Sequence, residues 1–419
     1  GEIRKLELKK YRQRTDRPDG VELLYAQGNR RWTQQSVFSA SGQNAQVVYT
    51  GGPASYRLAE GQQALEVRLS GMLGGLQVDK IITFQRGSYA IAQQYRISNR
   101  GDAPWSGQVT EQFLRDGAIE TSMIMPVFTG AITYNQEQFE KHALADLDGQ
   151  PVQKALQKGW AGMMDHYFLA AVLPPEDQLG QLFSRASGDG FYVSGVSMNI
   201  PAIAPGQSAT LSQQLFLGPK EQEQLKRFDR GLIRAVDYGW LTVIAKPLFQ
   251  IMDWFHGLIQ NWGVAIILLT LVVKLAFFPL TAASYKSMAN MRRVQPKIAK
   301  LKERFGDDRQ KMGQAMMELY KTEKINPLSG CLPIVIQIPF FIALYWVLLS
   351  SVEMRQAPWL GWITDLSAKD PWYILPLLMT ASTMFQTWLN PTPPDPMQAK
   401  MMWIMPLAFS FMFFFYPAG

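Results

Sequence analysis

The chain has very little cysteine and histidine, and this limits the chemistry that it can perform. Its only cysteine, Cys331, stands at the head of an apolar run, so no intramolecular disulfide can form. The three histidines, His142, His166 and His256, do not have the spacing of metal ligands. We therefore expect no redox chemistry, no metal centre and no cofactor.

Charged residues are almost missing from several long runs after residue 263, whereas the sequence up to about residue 225 is polar and rich in turn residues. This contrast predicts a multidomain membrane protein with a folded domain over 1–225, a linker over 226–262 and a membrane domain over 263–419. The net charge of +7 does not by itself indicate a nucleic-acid partner, because the positions of the charges matter more than their sum.

Short runs with partial two-residue alternation recur in the first domain, separated by glycine, asparagine, aspartate or proline. Many strands at short spacing without helices between them predict an antiparallel β-sandwich. One turn between strands is predicted at Gln27-Gly28-Asn29. The predicted strands cover 21–27, 45–50, 64–73, 76–85, 89–99, 191–198 and 208–218.

The first domain shows little chemistry of its own. Asp165 and His166 resemble half of an acid–base pair, but no nucleophile motif accompanies them, so a structural histidine is the better interpretation. Trp105 and Trp160 could stack on a sugar, although core packing is the usual role of aromatic residues in a sandwich. We interpret this domain as a scaffold or a docking surface.

One apolar stretch, 263–283, contains a single charge. As a helix of about 20 residues it would extend roughly 30 Å, enough to cross a bilayer. Lys274 lies near its midpoint, where a lysine costs about 2.5 to 3.5 kcal/mol on insertion scales. The side chain could snorkel to an interface. A positive charge that faces a wet cavity or a partner is the favoured interpretation.

Three further apolar runs predict spans at about 328–350, 372–389 and 401–417. Thr270 and Gln337 add polar groups at depth; each alone is more often a helix–helix hydrogen bond, but with Lys274 they form a candidate wet face. Before the first span, the apolar face of 247–260 predicts an interfacial helix on the bilayer, with packing on the β-domain as the alternative.

Positive charge concentrates between the first two predicted spans. Residues 285–325 contain eleven basic and five acidic residues, whereas 351–371 contains two basic and three acidic ones. The positive-inside rule therefore places the first loop in the cytoplasm, and the second loop, the chain end and the β-domain outside. Since such a domain needs an export signal, we expect the native chain to be longer and to begin with a signal anchor.

Residues 285–325 also show a heptad-like apolar pattern, which predicts a cytoplasmic helical hairpin with a basic outer surface. Two interpretations of this surface stay open: contact with solvent or lipid headgroups, and contact with an acidic partner such as ribosomal RNA or a nascent chain. The basic residues of its first helix are Arg292, Arg293, Lys297, Lys300, Lys302 and Arg304.

These motifs together resemble the YidC membrane protein insertases of Gram-negative bacteria. The resemblance is dense over about 230–419 and weaker, by size and position, in the β-domain. It rests on WGVAIILLTLVVKLAFFPLTAASYKSM (262–288), VQPKIAKLKERFGDD (294–308), KINPLSGCLPIVIQIPFF (324–341) and VEMRQAPWLGWITDLSAKDPWYILPLLM (352–379).

The resemblance implies a non-enzymatic protein of the bacterial inner membrane, with its large domain in the periplasm, that inserts and folds integral membrane proteins. It implies a bundle around a hydrophilic groove that is closed to the periplasm. Lys274 matches the groove charge, usually an arginine in the family. Thr270 and Gln337 match groove-lining positions, and Ile338 and Met412 match an apolar slide for the incoming segment.

The partners that the resemblance implies are nascent membrane proteins, the Sec translocon, the ribosome with targeting factors, and membrane lipids, without sequence-specific nucleic-acid binding. The family also continues beyond the position of Gly419 into a last span and a basic tail. Over residues 1–419 the groove that the resemblance implies is therefore incomplete on one side.

Other function classes fit the sequence less well. The main alternative is a small-solute transporter or channel that uses Lys274, but neither inverted repeats nor several intramembrane charges are present. An intramembrane protease needs a nucleophile with a base or paired aspartates, and the predicted spans contain no histidine and no aspartate. A purely structural assembly factor is a third alternative, which crosslinking to nascent chains would separate from an insertase.

Overall fold

The computed structural model describes residues 2–13, 17–40, 43–50, 52–118, 128–228, 230–306, 308–323, 332–389 and 396–419. The first four residues of the predicted span 328–350, which include Cys331, lie outside these ranges, as do Asp307 and the last two residues of the predicted hairpin 285–325. The chain forms two compact units, Gly1–Val236 and Asp237–Gly419. The first unit is built mainly of strands and the second of helices.

The first unit contains eighteen strands among the residues described. They are β1 Glu2–Ile3, β2 Leu6–Arg12, β3 Gly20–Gln27, β4 Arg30–Ala40, β5 Gln43–Ala45, β6 Val48–Thr50, β7 Ala64–Leu73, β8 Leu76–Gln85, β9 Ala90–Asn99, β10 Trp105–Asp116, β11 Gly130–Asn135, β12 Gln138–Ala143, β13 Val152–Ala155, β14 Trp160–Met164, β15 Phe168–Leu173, β16 Gly180–Gly188, β17 Phe191–Ile203 and β18 Ser208–Pro219. A short 3-10 helix, Leu144–Asp148, lies between β12 and β13.

These strands form two antiparallel sheets. The first has the order β13-β16-β17-β10-β4-β3-β2, with β1 and β5 also paired to β4; the second has the order β12-β11-β14-β15-β18-β9-β8-β7-β6. Alternate residues of β9 show which face is inside: Ile91, Tyr95 and Ile97 are buried in one core with residues of both sheets. The predicted antiparallel β-sandwich is confirmed.

The predicted strand boundaries agree with the structure where a whole sequence run forms a single strand. The runs 64–73 and 76–85 are β7 and β8, and the predicted turn at Gly28 joins β3 to β4 with Gln27 paired to Arg30. Gly28 has a φ of 56°, which a two-residue hairpin turn requires. The run 45–50 differs, because β5 pairs with β4 in the first sheet and β6 pairs with β7 in the second.

The interior of the sandwich contains a buried polar network between the sheets. Ser36 Oγ donates to Glu111 Oε2 at 3.0 Å and accepts from Lys80 Nζ at 2.8 Å. Tyr95 donates to Glu111 Oε1 at 2.5 Å, and Gln34 also donates to this carboxylate. Burial lowers the pKa of Lys80, and the nearby Glu111 opposes that effect. The network therefore links a buried cation to a buried anion through one hydroxyl group.

The first unit extends to Val236, beyond the predicted limit at residue 225. Helix α1, Gln222–Arg227, and a 3-10 helix, Leu232–Ala235, follow the last strand. Leu225 and Leu232 are buried in one cluster with Trp160, whose indole donates to the carbonyl oxygen of Arg230 at 2.8 Å. The apolar side chains of this segment thus complete the sandwich. Trp160 is a core residue, as expected.

The second unit consists of helices. They are α2 Thr242–Ile259, α3 Trp262–Ala276, α4 Phe278–Phe305, α5 Arg309–Thr322, α6 Leu332–Ser350, α7 Ile374–Leu389 and α8 Pro396–Phe413. The predicted run 372–389 corresponds to α7. The predicted run 401–417 is displaced, because α8 begins at Pro396 and ends at Phe413.

The predicted span 263–283 is divided between α3 and α4. Among the residues described, no single helix is long and apolar enough to cross a membrane alone. The pair Trp262–Ala276 and Phe278–Ser287 has the required length and composition together, and it is bent by 56°. The bend follows from Pro279, which has no N–H to donate to the carbonyl four residues earlier. In the first turn of α4 the same proline is well tolerated.

Helix α2 extends the predicted interfacial helix at its N-terminal end. Its residues Ala245, Leu248 and Met252 are buried, and the helix contacts α3 and α6. Trp254 and Leu258 are exposed. One side of α2 therefore packs on other helices of the second unit, while another side leaves apolar side chains exposed.

We predict that Glu111→Gln destabilises the sandwich by roughly 3 kcal/mol, because it leaves Lys80 as a buried cation without its anion. Hydrogen exchange of peptides from β8, β9 and β10 in the full chain measures the loss. Glu66→Gln on β7 is the matched control, since Glu66 is exposed. The double variant with Lys80→Met should recover part of the protection. Equal exchange in the Glu111 and Glu66 variants would contradict this account.

Candidate functional site

Lys274 lies in the last turn of α3, two residues before that helix ends. Phe277 stands at the break: its N–H donates to Val273 O at 3.1 Å, and its carbonyl accepts from Thr281 N at 3.0 Å. The C-terminal end of a helix carries a partial negative charge, which stabilises a cation nearby. The break that Pro279 produces therefore provides Lys274 with a favourable backbone dipole.

The side chain of Lys274 is exposed and faces an aromatic ring of α6. Its Nζ lies 5.4 Å from the ring centroid of Phe341, a cation–π distance. Phe340, beside it on α6, makes an edge-on contact with Phe277 at 4.9 Å between ring centroids. Among the residues described, no carboxylate forms an ion pair with Lys274. The bend is therefore packed on α6, and the lysine is left without a fixed counter-ion in this part of the chain.

The structure brings the predicted polar partners only partly together. Thr270, one turn before Lys274, donates its hydroxyl to Ile266 O at 2.9 Å within α3. Gln337 on α6 donates to Thr281 Oγ1 on α4 at 3.4 Å. In the described part of the chain neither side chain bonds to Lys274. Gln337 instead joins α6 to the first turn of α4, directly after the bend.

The two residues predicted for an apolar slide are both exposed. Ile338 on α6 is 47% exposed and Met412 on α8 is 38% exposed. Met412 Sδ accepts from the hydroxyl of Tyr416 at 3.9 Å. The ring of Tyr416 also meets Tyr345 of α6, with 5.8 Å between ring centroids. Exposed apolar surface is thus present on both helices.

The predicted basic surface lies on α4, which contacts α5. Lys297 forms an ion pair with Glu323, just after α5, and Arg304 lies 5.3 Å from the ring of Phe305. Arg293 and Lys300 are exposed, while Val294 between them is buried. The side chains of Arg292 and Lys302 lie outside the described part of the structure. A basic outer surface and an apolar inner face are therefore both present on α4.

The loop of residues 351–373 has a fixed conformation held by two carboxylates. Asp370 is buried and accepts from the indole of Trp362 at 3.0 Å and from the N–H groups of Trp372 and Leu375 at 3.0 and 2.8 Å. Asp365 accepts from the N–H of Gln356 at 2.8 Å. Burial alone raises the pKa of Asp370, but these donors outweigh it and hold the pKa below its usual range.

This loop contacts the first turn of α3. Asn261 precedes the helix; its side-chain oxygen accepts from Val264 N at 3.1 Å and its amide group donates to Trp359 O at 2.9 Å. Gly263 packs on the Trp359 ring so closely that a Cβ there would overlap the ring atom Cδ1. The chain end also joins the loop, because Gly419 N donates to Leu366 O at 3.0 Å.

Sequence reasoning missed Thr281, Phe341 and Asn261. Thr281 could have been noted as a hydroxyl group in an apolar run, seven residues after Lys274. Asn261 had a stronger signal, since asparagine directly before an apolar helix is a typical N-cap. Phe341 carried no signal, because its contact with Lys274 depends on how α6 packs against α3.

Two family models match this chain. Residues 1–251 match one described as the YidC periplasmic domain, and residues 254–419 match one described as the 60Kd inner membrane protein. A relative from Azotobacter vinelandii named membrane protein insertase YidC is 46% identical over 435 residues, covering 100% of this chain and 77% of the relative. A relative of the same name from Methylobacillus flagellatus is 46% identical over 424 residues, with the same coverage.

One solved structure is similar over most of the chain. It is described as "Active YidC insertase crystal structure with the first transmembrane domain resolved". The similarity covers 93% of this chain and 79% of that chain, with 21% sequence identity and a TM-score of 0.40.

We predict that Asp370→Asn loosens the 351–373 loop by about 2 kcal/mol, since charged acceptors make the stronger hydrogen bonds. Hydrogen exchange of peptides covering 356–375 measures the effect, with Lys369→Gln as a control at an exposed position of the same loop. Unchanged protection in Asp370→Asn would contradict the structural role of this carboxylate.

The lowered pKa of Asp370 also predicts a pH dependence. The carboxylate stabilises the loop fully above the ordinary aspartate pKa of about 3.9, and this contribution is lost as the pH falls through the lower folded value. The wild-type loop should therefore keep the same stability between about pH 5 and pH 8, after correction for intrinsic exchange. A loss of protection within that window would contradict the assignment.

Proposed function

Because this chain belongs to the YidC family of membrane protein insertases, we propose that it inserts integral membrane proteins through a hydrophilic groove that carries the charge of Lys274. The family comprises inner-membrane proteins with a periplasmic domain. The single observation that carries the groove proposal is the position of Lys274 at the end of α3, beside Phe341 and without an acidic partner among the described residues.

The proposed mechanism is physical and involves no covalent step. A positive charge in a wet groove lowers the desolvation cost of a polar or acidic segment on its way across the membrane. Thr270 and Gln337 would add polar groups to the groove wall. The chain would then act as an insertase and chaperone without being an enzyme, either alone or beside the Sec translocon.

An apolar segment of the substrate would leave the groove along the exposed sides of α6 and α8. Ile338 and Met412 lie on these helices and are exposed. Transfer of such a segment into lipid is driven by roughly 25 cal/mol per Å² of buried apolar surface. The helices α7 and α8 have 16 and 18 residues, fewer than the about 20 of a typical span, so they would thin the bilayer locally.

We assign the sides of the membrane from charge. The basic segment 285–325 would be a cytoplasmic hairpin formed by α4 and α5, and the 351–373 loop would face the periplasm. Asn261, directly before α3, and Gly419 both contact that loop, which supports placing these two residues on the same side. The first unit would be the periplasmic domain, with α2 as an interfacial helix that leads into a transmembrane bundle.

The hairpin is the proposed contact for cytoplasmic partners. Arg293, Lys297 and Lys300 lie on one helix of it, and Lys297 forms an ion pair with Glu323, directly after the second helix. Ribosomal RNA, targeting factors and anionic lipid headgroups all carry the negative charge that such a surface attracts. Recognition by charge alone would not depend on nucleotide sequence.

We predict that Lys274→Glu impairs insertion of a substrate with an acidic tail roughly tenfold more than one with a neutral tail, a ratio that corresponds to about 1.4 kcal/mol. Lys274→Arg should keep the preference because it keeps the charge. Insertion of the matched substrates into vesicles that contain each variant measures the ratio. If Lys274→Glu slows both substrates equally, attraction by this charge is not part of the mechanism.

Site-specific photocrosslinking from positions 274 and 337 to a ribosome-stalled nascent membrane protein tests the groove itself. An insertase should crosslink when the hydrophobic segment has just left the ribosome. Position 66, on the exposed face of β7, is the control. Solute flux through proteoliposomes without any nascent-chain crosslink would instead favour a transporter or channel.

A further inference from the structure

We propose that Asn261 and Gly263 are positioning residues of the groove: through Trp359 they hold the 351–373 loop on the first turn of α3 and so fix the depth of Lys274 at the other end of that helix. The inference rests on the proposed function only for the role of Lys274. The contact itself is a feature of the structure.

The side chain of Asn261 forms hydrogen bonds with both α3 and the 351–373 loop. The oxygen of Asn261 accepts from Val264 N, which caps the helix, and its amide nitrogen donates to Trp359 O, which holds the loop. Aspartate has nearly the same shape and caps a helix as well, but its carboxylate cannot donate. The two roles of Asn261 can therefore be separated by a single substitution.

Gly263 contributes by leaving space. A Cβ at this position would lie 2.7 Å from the Cβ of Trp359 and closer still to its Cγ and Cδ1, all below the distance that packed atoms allow. Alanine is a better helix former than glycine by about 1 kcal/mol. Gly263→Ala therefore favours α3 locally and acts on the loop only by displacing the tryptophan.

The loop that receives these contacts is rigid enough to serve as a reference. Val352, Ile363 and Leu366 are each at most 3% exposed, and Asp365 and Asp370 hold its backbone with several hydrogen bonds. Trp359 N also donates to Ile363 O at 3.0 Å, which closes the segment that carries the tryptophan ring.

Helix α3 can transmit the position of its first turn. No proline or glycine interrupts 264–274, so this part moves as one element, and Lys274 lies about 20 Å along the axis from Asn261. The first interruption comes at Phe277, after Lys274. A change at the Trp359 contact therefore shifts the lysine, rather than being absorbed by an intervening kink.

The test measures depth and function separately in the full chain in lipid. In a Cys331→Ser background, a spin label at Leu271→Cys, an exposed position one turn before Lys274, reports depth in the bilayer. We expect Asn261→Asp and Gly263→Ala to move the label by about 1.5 Å, the rise of one residue. The same variants, like Lys274→Gln, should lower insertion of the acidic-tail substrate more than insertion of the neutral-tail substrate.

Matched controls distinguish this role from general destabilisation. Gly257→Ala adds the same methyl group on α2, where nothing lies within 4 Å, and should change neither readout. If Asn261→Asp and Gly263→Ala leave the label where it is in the wild type, the positioning role is overturned. If Lys274→Gln itself leaves tail selectivity unchanged, the proposed function fails, while the label still decides whether the Trp359 contact sets the depth of α3.

Discussion

The charge of Lys274, which stands alone in an apolar run, is the constraint on which the arrangement of this part of the second unit depends. Lys274 is surrounded in sequence by apolar residues, and three features of the structure favour its charged form. The helix ends two residues later, which supplies the negative end of a backbone dipole; the side chain is exposed; and the Phe341 ring lies beneath the charge. The bend at Pro279 brings the end of α3 close to the lysine, whereas a straight helix over 263–283 would place the lysine near its centre.

In the first unit, by contrast, a buried lysine has a fixed anionic partner. Lys80 is linked through Ser36 to Glu111, and both ends of this network are almost completely buried. Every partner is fixed by the register of the strands, so the charges cannot leave and have no access to a ligand. Lys274 has an aromatic neighbour but no fixed anion among the described residues. Loss of one partner of a buried pair is destabilising because it leaves a buried charge uncompensated, whereas a charge without a fixed partner is a candidate for binding.

Local patterns predicted the strands well because side-chain alternation and turn residues are properties of short segments. The run 76–85 became β8 without change, and Gly28 occupies the turn that its neighbours indicated. The division of 45–50 between two sheets depends on pairing partners far away in sequence and has no local signal. The bend before Pro279 did have a local signal, but the continuous apolar composition favoured a single span.

The residues of the candidate site could likewise be predicted only where their signal was local. Lys274 could be identified because a lone charge in an apolar run is conspicuous, whereas Thr281, Phe341 and Trp359 acquire their roles only through helix packing. Packing also separates the charges of the second unit. Asp365 and Asp370 are occupied by donors of their own loop, which meets the start of α3, while Lys274 lies at the end of that helix. Because those carboxylates are bonded within their own loop, neither pairs with the lysine in the described part of the chain, and this is why we propose that its charge attracts an acidic segment of an incoming chain.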